Sequence, residues 1–326
     1  MKANKIIAGV ALVGAIALTA TGCAGGGGGA AAGGGGDTIT VGFAQTGSES
    51  GWRSANTESM KEAFSEANGF NLIFNAADNK PEAQIAAVRS FINQGVDAIV
   101  LAPIVTDGWD DVLQEAKDAN IPVILEDRTV SASEDLYASW IGLDFEKEGE
   151  TAGKWVADTF GSTPTNMVVL EGTTGSSAAT DRATGFASAI EGTDIKTLDS
   201  QTGNFTRADG KTVMEGFLQK YGSQINLLFA HNDDMGLGAL EAIKAAGLTP
   251  GTDIKIVTID AVKDGMTALS NGEFNYIVEC NPLLGEKTAE VVKKVVAGES
   301  VDKSYIVEDQ AFNQEQAKKV LDSRPY

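Results

Sequence analysis

Residues 41–53 read VGFAQTGSESGWR. A short β-rich run ends in small and polar residues, and Glu49, Trp52 and Arg53 follow together. A strand that stops at a helix start while carrying an acid, an aromatic and a base is a place to grip a small polyhydroxylated molecule. The same letters also describe an ordinary helix start, with Ser48 or Ser50 as cap, Trp52 as core and Arg53 solvated. The flanking chain has to decide between the two.

Outward from this stretch the pattern alternates. The apolar runs Thr38–Phe43, Leu72–Ala76, Ala98–Ala102 and Pro122–Leu125 predict strands, and segments near 53–68, 80–94 and 109–119 have helical period. The rhythm restarts after Gly142. Strands are expected at Asn166–Leu170, Ile195–Leu198, Asn226–Ala230, Ile254–Ile259 and Phe274–Cys280. Helices are expected near 146–160, 181–191, 207–221, 235–246, 263–271 and 283–297, before a short C-terminal tail. Continuous apolar strands with intervening helices imply parallel sheet covered on both faces. The fold class is therefore α/β, as two Rossmann-like lobes. Ligands of such sheets bind beyond the carboxyl ends of the strands. Those ends carry Glu126-Asp127-Arg128, Glu171-Gly172, His231-Asn232-Asp233-Asp234 and Asp260, with Asp181-Arg182 and Phe205-Thr206-Arg207 at helix starts. One such residue is usually a helix cap; six strand ends behaving alike are harder to dismiss.

With 326 residues, a formal charge of −20 and no basic block, the chain is disfavoured as a nucleic-acid binder and expected to be a soluble monomer. His231 is the only histidine, so no metal site is expected and any Ser-His-Asp triad would have to be built on it. At the N-terminus, Lys2 and Lys5 precede the apolar run Ile6–Leu18, too short for a good membrane span. Ala20-Thr21-Gly22-Cys23 then resembles the bacterial lipobox, with Ala20 where that motif usually has Leu. The expectation is a lipoprotein signal over residues 1–23 with Cys23 lipidated. The Gly-rich tract 24–36 reads as a flexible tether reaching about 20 Å. If Cys23 is lipidated, Cys280 is left without a disulfide partner.

From Asp37 to about Val307 the chain resembles the periplasmic sugar-binding proteins of ABC importers, of type I fold, the group that includes ribose- and galactose-binding proteins. The furanose branch, that of the galactofuranose binders, is the most similar. The motifs are GSESGWR (47–53), AVRSFINQGVDAIVLAP (87–103), IPVILEDR (121–128), TDRATGF (180–186), GNFTR (203–207), AHNDDMGLGAL (230–240) and TIDA (258–261). The resemblance implies a sugar held by Glu49, Trp52, Arg53, Asp127, Arg128, Arg182, Asn232 and Asp260, with Phe205 packed on its ring. Ala261 stands where the family usually has Gly, and Glu279-Cys280-Asn281 matches poorly. Three crossovers are implied near 141–143, 280–282 and 303–305. They give one lobe of 37–141 plus 281–304 and another of 142–280 plus 305–326.

The implied function is capture of a monosaccharide between the lobes and delivery to an ABC permease from an extracytoplasmic, lipid-anchored position, without catalysis or cofactor. Carboxylates, amides and Arg forks suit hydroxyls that both donate and accept. Trp52 and Phe205 can cover the apolar ring face. A glycosidase using Asp127 and Asp260 is the rival from another class; the neighbouring arginines are expected to hold both acids ionised and leave no proton donor. A repressor core and a sensor subunit share the fold. The exported N-terminus counts against the first. Asp233 and Asp234 are expected to cap the following helix, leaving Asn232 free for ligand, and His231 to be structural.

Overall fold

The structure is a computed structural model that describes residues 38–326; the expectations for the signal segment, Cys23 and the Gly-rich tract lie outside the described residues. The first half runs β1 (Ile39–Gln45), α1 (Gly51–Ala63), β2 (Phe70–Ala76), α2 (Pro81–Gln94), β3 (Ala98–Leu101), α3 (Asp110–Asp118), β4 (Val123–Asp127) and β5 (Ser139–Gly142). Next come α4 (Phe145–Phe160), β6 (Thr165–Glu171), α5 (Ser177–Ile190), β7 (Ile195–Thr202), α6 (Arg207–Tyr221), β8 (Leu227–Ala230), α7 (Asp233–Ala245), β9 (Lys255–Asp260), α8 (Lys263–Ser270) and β10 (Tyr276–Glu279). The chain closes with α9 (Gly285–Val296), β11 (Ser304–Ile306), β12 (Ala311–Phe312) and α10 (Gln314–Val320).

These elements build two six-stranded sheets, ordered β2-β1-β3-β4-β5-β11 and β7-β6-β8-β9-β10-β12. Every pairing is parallel except β10 with β12. The central strands β3, β4 and β8 are buried along their whole length, as parallel sheet with helices on both faces requires. Local chemistry sets the helix ends. Pro81 occupies the first turn of α2 and Gly95 closes that helix with a left-handed φ of 66°. Ser50, Ser176, Thr206 and Asn232 each accept a backbone N–H at the start of α1, α5, α6 and α7.

Three passages join the lobes. The first leaves β5 for α4, and the second leaves β10 for α9, which packs on α1. The third lies between Ile306 and Ala311, because β11 extends the first sheet beside β5 while β12 extends the second beside β10. The expected division after residue 304 therefore cuts through β11. The expected C-terminal tail instead holds two strands and α10. Residues of β11 are half-exposed or exposed and carry no apolar run, so only pairing with β5 identifies them as strand.

Candidate functional site

The carboxyl ends of both sheets converge on one narrow cavity. Its walls include Glu49, Ser50, Trp52, Asp127 and Arg128 from the first lobe. Phe145, Ala178, Arg182, Phe205, Asn232, Asp260 and Cys280 complete them. Eight of the nine residues proposed to hold a sugar are thus brought together. The exception is Arg53, which does not line the cavity and supports those that do. Its Nε donates to Glu49 Oε1 at 3.1 Å, its Nη2 to Asp127 Oδ2 at 2.5 Å and its Nη1 to Asn56 Oδ1 at 3.1 Å. The solvated Arg53 of an ordinary helix start is excluded, since the residue is 1% exposed, although Ser50 is indeed the cap.

Burial and charge are balanced closely on the first-lobe wall. Burial pushes the Glu49 carboxyl upward, but Arg53 and Arg128 outweigh it and hold the group below its usual range. Arg128 Nη1 donates to Ile104 O at 3.3 Å, while its buried Nε makes no hydrogen bond among the described residues and lies 3.7 Å from Asp127 Oδ2. Burial lowers the Arg128 pKa, against the pull of Asp127. Behind the wall, Asn56 Nδ2 donates to Glu126 Oε1 at 2.6 Å and to Pro282 O at 3.1 Å. Trp52 Nε1 donates to Cys280 O at 2.6 Å, and Ser59 Oγ accepts from Gly285 N at 3.1 Å. Residues 52, 56 and 59 share one face of α1, so that face straps the second crossover to the first lobe.

The second-lobe wall is organised by Arg182. Its Nε donates to Glu148 Oε2 at 2.7 Å and its Nη1 to His231 O at 2.6 Å, with Nη2 3.8 Å from Asp260 Oδ1. Asp260 Oδ2 is buried without a partner among the described residues. Burial pushes the Asp260 carboxyl well up, and Arg182 offsets only part of that shift. His231 is structural, as its position predicted: burial, helped by the Arg182 charge, pushes it down to about 3, so it is neutral at physiological pH.

Phe205 reaches into the cavity between the lobes, its ring 5.1 Å from the Arg128 guanidinium carbon and 5.9 Å from that of Arg182. The ring fits because residue 172 is glycine; a Cβ there would lie 1.9 Å from Phe205 Cζ. Asp127, Phe205, Asp260 and Ala261 all have positive φ, at 62°, 62°, 129° and 62°. Non-glycine residues held this way cost about 1–3 kcal/mol each, and such strain clusters at functional sites. Ala261 is thus left-handed at the place where the resemblance led us to expect Gly, the residue that adopts this φ without strain.

Asn232 corrects a further expectation. It is itself the cap of α7, accepting Met235 N at 3.0 Å and donating to Phe205 O at 3.1 Å. Asp233 instead accepts from Thr258 Oγ1 and Val262 N, and Asp234 from Gly51 N. Sequence reasoning missed Phe145, which opens α4 and faces the cavity from the first crossover, and left the 279–281 strand end open; there the cavity residue is Cys280. The thiol signal was visible, but nothing in its neighbours told which way it points.

The family model for the periplasmic binding protein domain matches residues 41–300. The chain is 46% identical over 260 residues to the galactofuranose-binding protein YtfQ of Escherichia coli K12, covering 78% of this chain and 81% of that one. A Mycobacterium smegmatis structure in complex with β-D-fucofuranose superposes with a TM-score of 0.85 at 57% identity, covering 87% of this chain and 94% of the other. The binding component of the arabinose ABC transporter from Shewanella sp. ANA-3, bound to α- and β-L-arabinofuranose, gives 0.84 at 44%, covering 88% and 96%.

Proposed function

The chain belongs to the periplasmic binding protein family, and on that premise we propose that it captures a monosaccharide in furanose form between its lobes. The observation that carries this reading is the chemistry of the cavity. A buried donor, Arg128 Nε, and a buried acceptor, Asp260 Oδ2, each without a hydrogen bond among the described residues, belong to opposite walls. The aromatic rings of Trp52 and Phe205 lie in the same enclosure. A sugar answers all of these at once: its hydroxyls donate and accept, and its C–H face covers an aromatic ring. Orphaned buried groups are costly, so a ligand that satisfies them favours the shut arrangement of the lobes by differential affinity.

Glu49, Asp127, Arg128, Arg182, Asn232 and Asp260 are the polar contacts in this reading, Trp52 and Phe205 the ring platforms, and Arg53 the support for Glu49 and Asp127. Relatives named or crystallised with galactofuranose, fucofuranose and arabinofuranose support a five-membered ring. No bond is made or broken; the protein is a binding protein, not an enzyme. Delivery to an ABC importer permease belongs to the same reading, and relatives named as import binding proteins or ABC-transporter components support it. Lipid attachment through Cys23, with the Gly-rich tract as leash, would keep the protein on the outer side of the membrane that holds such a permease.

A thermal-shift screen against D-galactose, D-fucose, L-arabinose and D-fructose at mutarotation equilibrium tests the reading. A ligand at about 100-fold its Kd adds about 2.7 kcal/mol of stability. If none of these sugars moves the melting temperature, the binding assignment falls.

A further inference from the structure

Asp234, the second residue of α7 in the second lobe, places Oδ2 2.7 Å from the backbone nitrogen of Gly51, the first residue of α1 in the first lobe. The first four N–H groups of a helix have no partner inside it. Ser50 Oγ takes that of Arg53, leaving the Gly51 donor to the other lobe. A carboxylate at this end of α1 is also favoured by the helix dipole. The remaining oxygen, Oδ1, is held by Arg207 Nε at 3.2 Å, and Arg207 Nη2 reaches Asp264 Oδ2 at 3.0 Å, both within the second lobe. Asp234 is therefore aimed from its own lobe, and its free oxygen is presented to the opposite one.

Neither Asp234 nor Gly51 lines the cavity. Two more cross-lobe bonds, Thr106 N to Gly175 O at 2.9 Å and Thr129 N to Ser177 Oγ at 3.2 Å, join neutral partners. The Asp234 contact is the charged member of the set, and charge-assisted bonds are roughly twice as strong. Opening the lobes separates Asp234 from Gly51 but leaves Asp234 with Arg207. The bond thus contributes to the shut state alone, and a contact present in one state only shifts the equilibrium between them.

We propose that Asp234 is a closure-positioning residue: it latches α1 of the opposite lobe and so sets the lifetime of the bound sugar without touching it. The proposal rests on the cavity being the sugar site. The test uses the full chain with Asp234→Ala and Gly51→Pro, singly and together. Proline is well suited to the first helical position, and the extended Ser50 (φ −148°, ψ 165°) tolerates a following proline, so Gly51→Pro removes the donor and keeps the helix start.

Stopped-flow tryptophan fluorescence with the sugar that gives the largest thermal shift reads kon and koff. Each single variant should raise koff about tenfold with kon within twofold, and the double variant should add little to either. A role confined to the second lobe would instead lower the melting temperature of the unliganded protein and spare koff. The proposal is overturned if both single variants keep koff within twofold of the parent, or if their effects multiply in full. If the parent binds none of the sugars, the functional reading falls. The latch is then judged by solution scattering on the unliganded proteins: a larger radius of gyration in both variants supports it, and equal radii overturn it.

Discussion

Replacing Gly172 by alanine would test whether the Phe205 ring is placed by the backbone beneath it. The new Cβ would lie 1.9 Å from Cζ and 2.4 Å from both Cε atoms. Ordinary contact begins near 3.4 Å, so the ring must retreat by about 1.5 Å (3.4 minus 1.9). Retreat is hindered because Phe205 is already in the left-handed region, and its carbonyl is tied to Asn232 Nδ2 at 3.1 Å. Any such movement displaces a ring that lines the cavity. Overpacking of this kind costs about 1–3 kcal/mol, or a fall of roughly 2–5 °C in melting temperature for a chain of this size. Sugar affinity should drop by about one to two orders of magnitude, the same energy expressed in binding. Thermal denaturation and titration calorimetry read the two effects. Phe205→Leu in the same chain removes the colliding atoms, so the double variant should be more stable than the sum of its singles implies. A Gly172→Ala protein with unchanged stability and affinity would refute this account of the ring.

Two other perturbations follow from the buried charges. Arg182→Ala should abolish sugar binding and also destabilise by about 3–5 kcal/mol, because it strands the buried Glu148 carboxylate; adding Glu148→Gln should recover part of the stability, read by chemical denaturation, but none of the binding. Asp309, in the third crossover, is pushed up to about 9 by burial and by the charge of Glu148. A carboxyl raised in the folded state contributes stability at low pH that is lost as pH climbs from about 4 toward the folded value. Asp309→Asn, which can still accept from Asn281 N, should flatten the melting profile between pH 5 and 9 and exceed the parent at pH 9. Parallel profiles would sink this reading.

Much of the architecture was legible because long apolar strands alternate with helices. The runs that became β1, β3, β6 and β9 each signal burial on both faces. The short strands were not legible. Ser139–Gly142 and Ala311–Phe312 are strands only because β4 and β10 offer a free edge at the right place. In the site, residue types were readable and directions were not. Arg53 and Arg128 look alike in sequence, yet one is clamped between Glu49, Asp127 and Asn56 while the other keeps a nitrogen without a hydrogen bond at the cavity wall. Asn232 looked free for ligand because capping by Asp233 or Asp234 was as good a local solution. What decided it lies far along the chain: Gly51, 183 residues away, recruits Asp234, and Thr258 and Val262 recruit Asp233.

The path of the chain through three crossovers also bears on how the protein reaches its folded state. The first sheet is not finished when β5 is made. Its edge beyond β5 waits for β11, and the outer face of α1 waits for α9. Both arrive only after the whole second sheet except β12 has been synthesised. A chain emerging residue by residue therefore cannot complete its leading lobe and set it aside before the trailing one appears, as tandem domains do. Contacts of long sequence separation slow folding, and here they join the first helix to nearly the last. The two lobes are committed to fold as one cooperative body, and a chain cut after β10 would lack pieces of both.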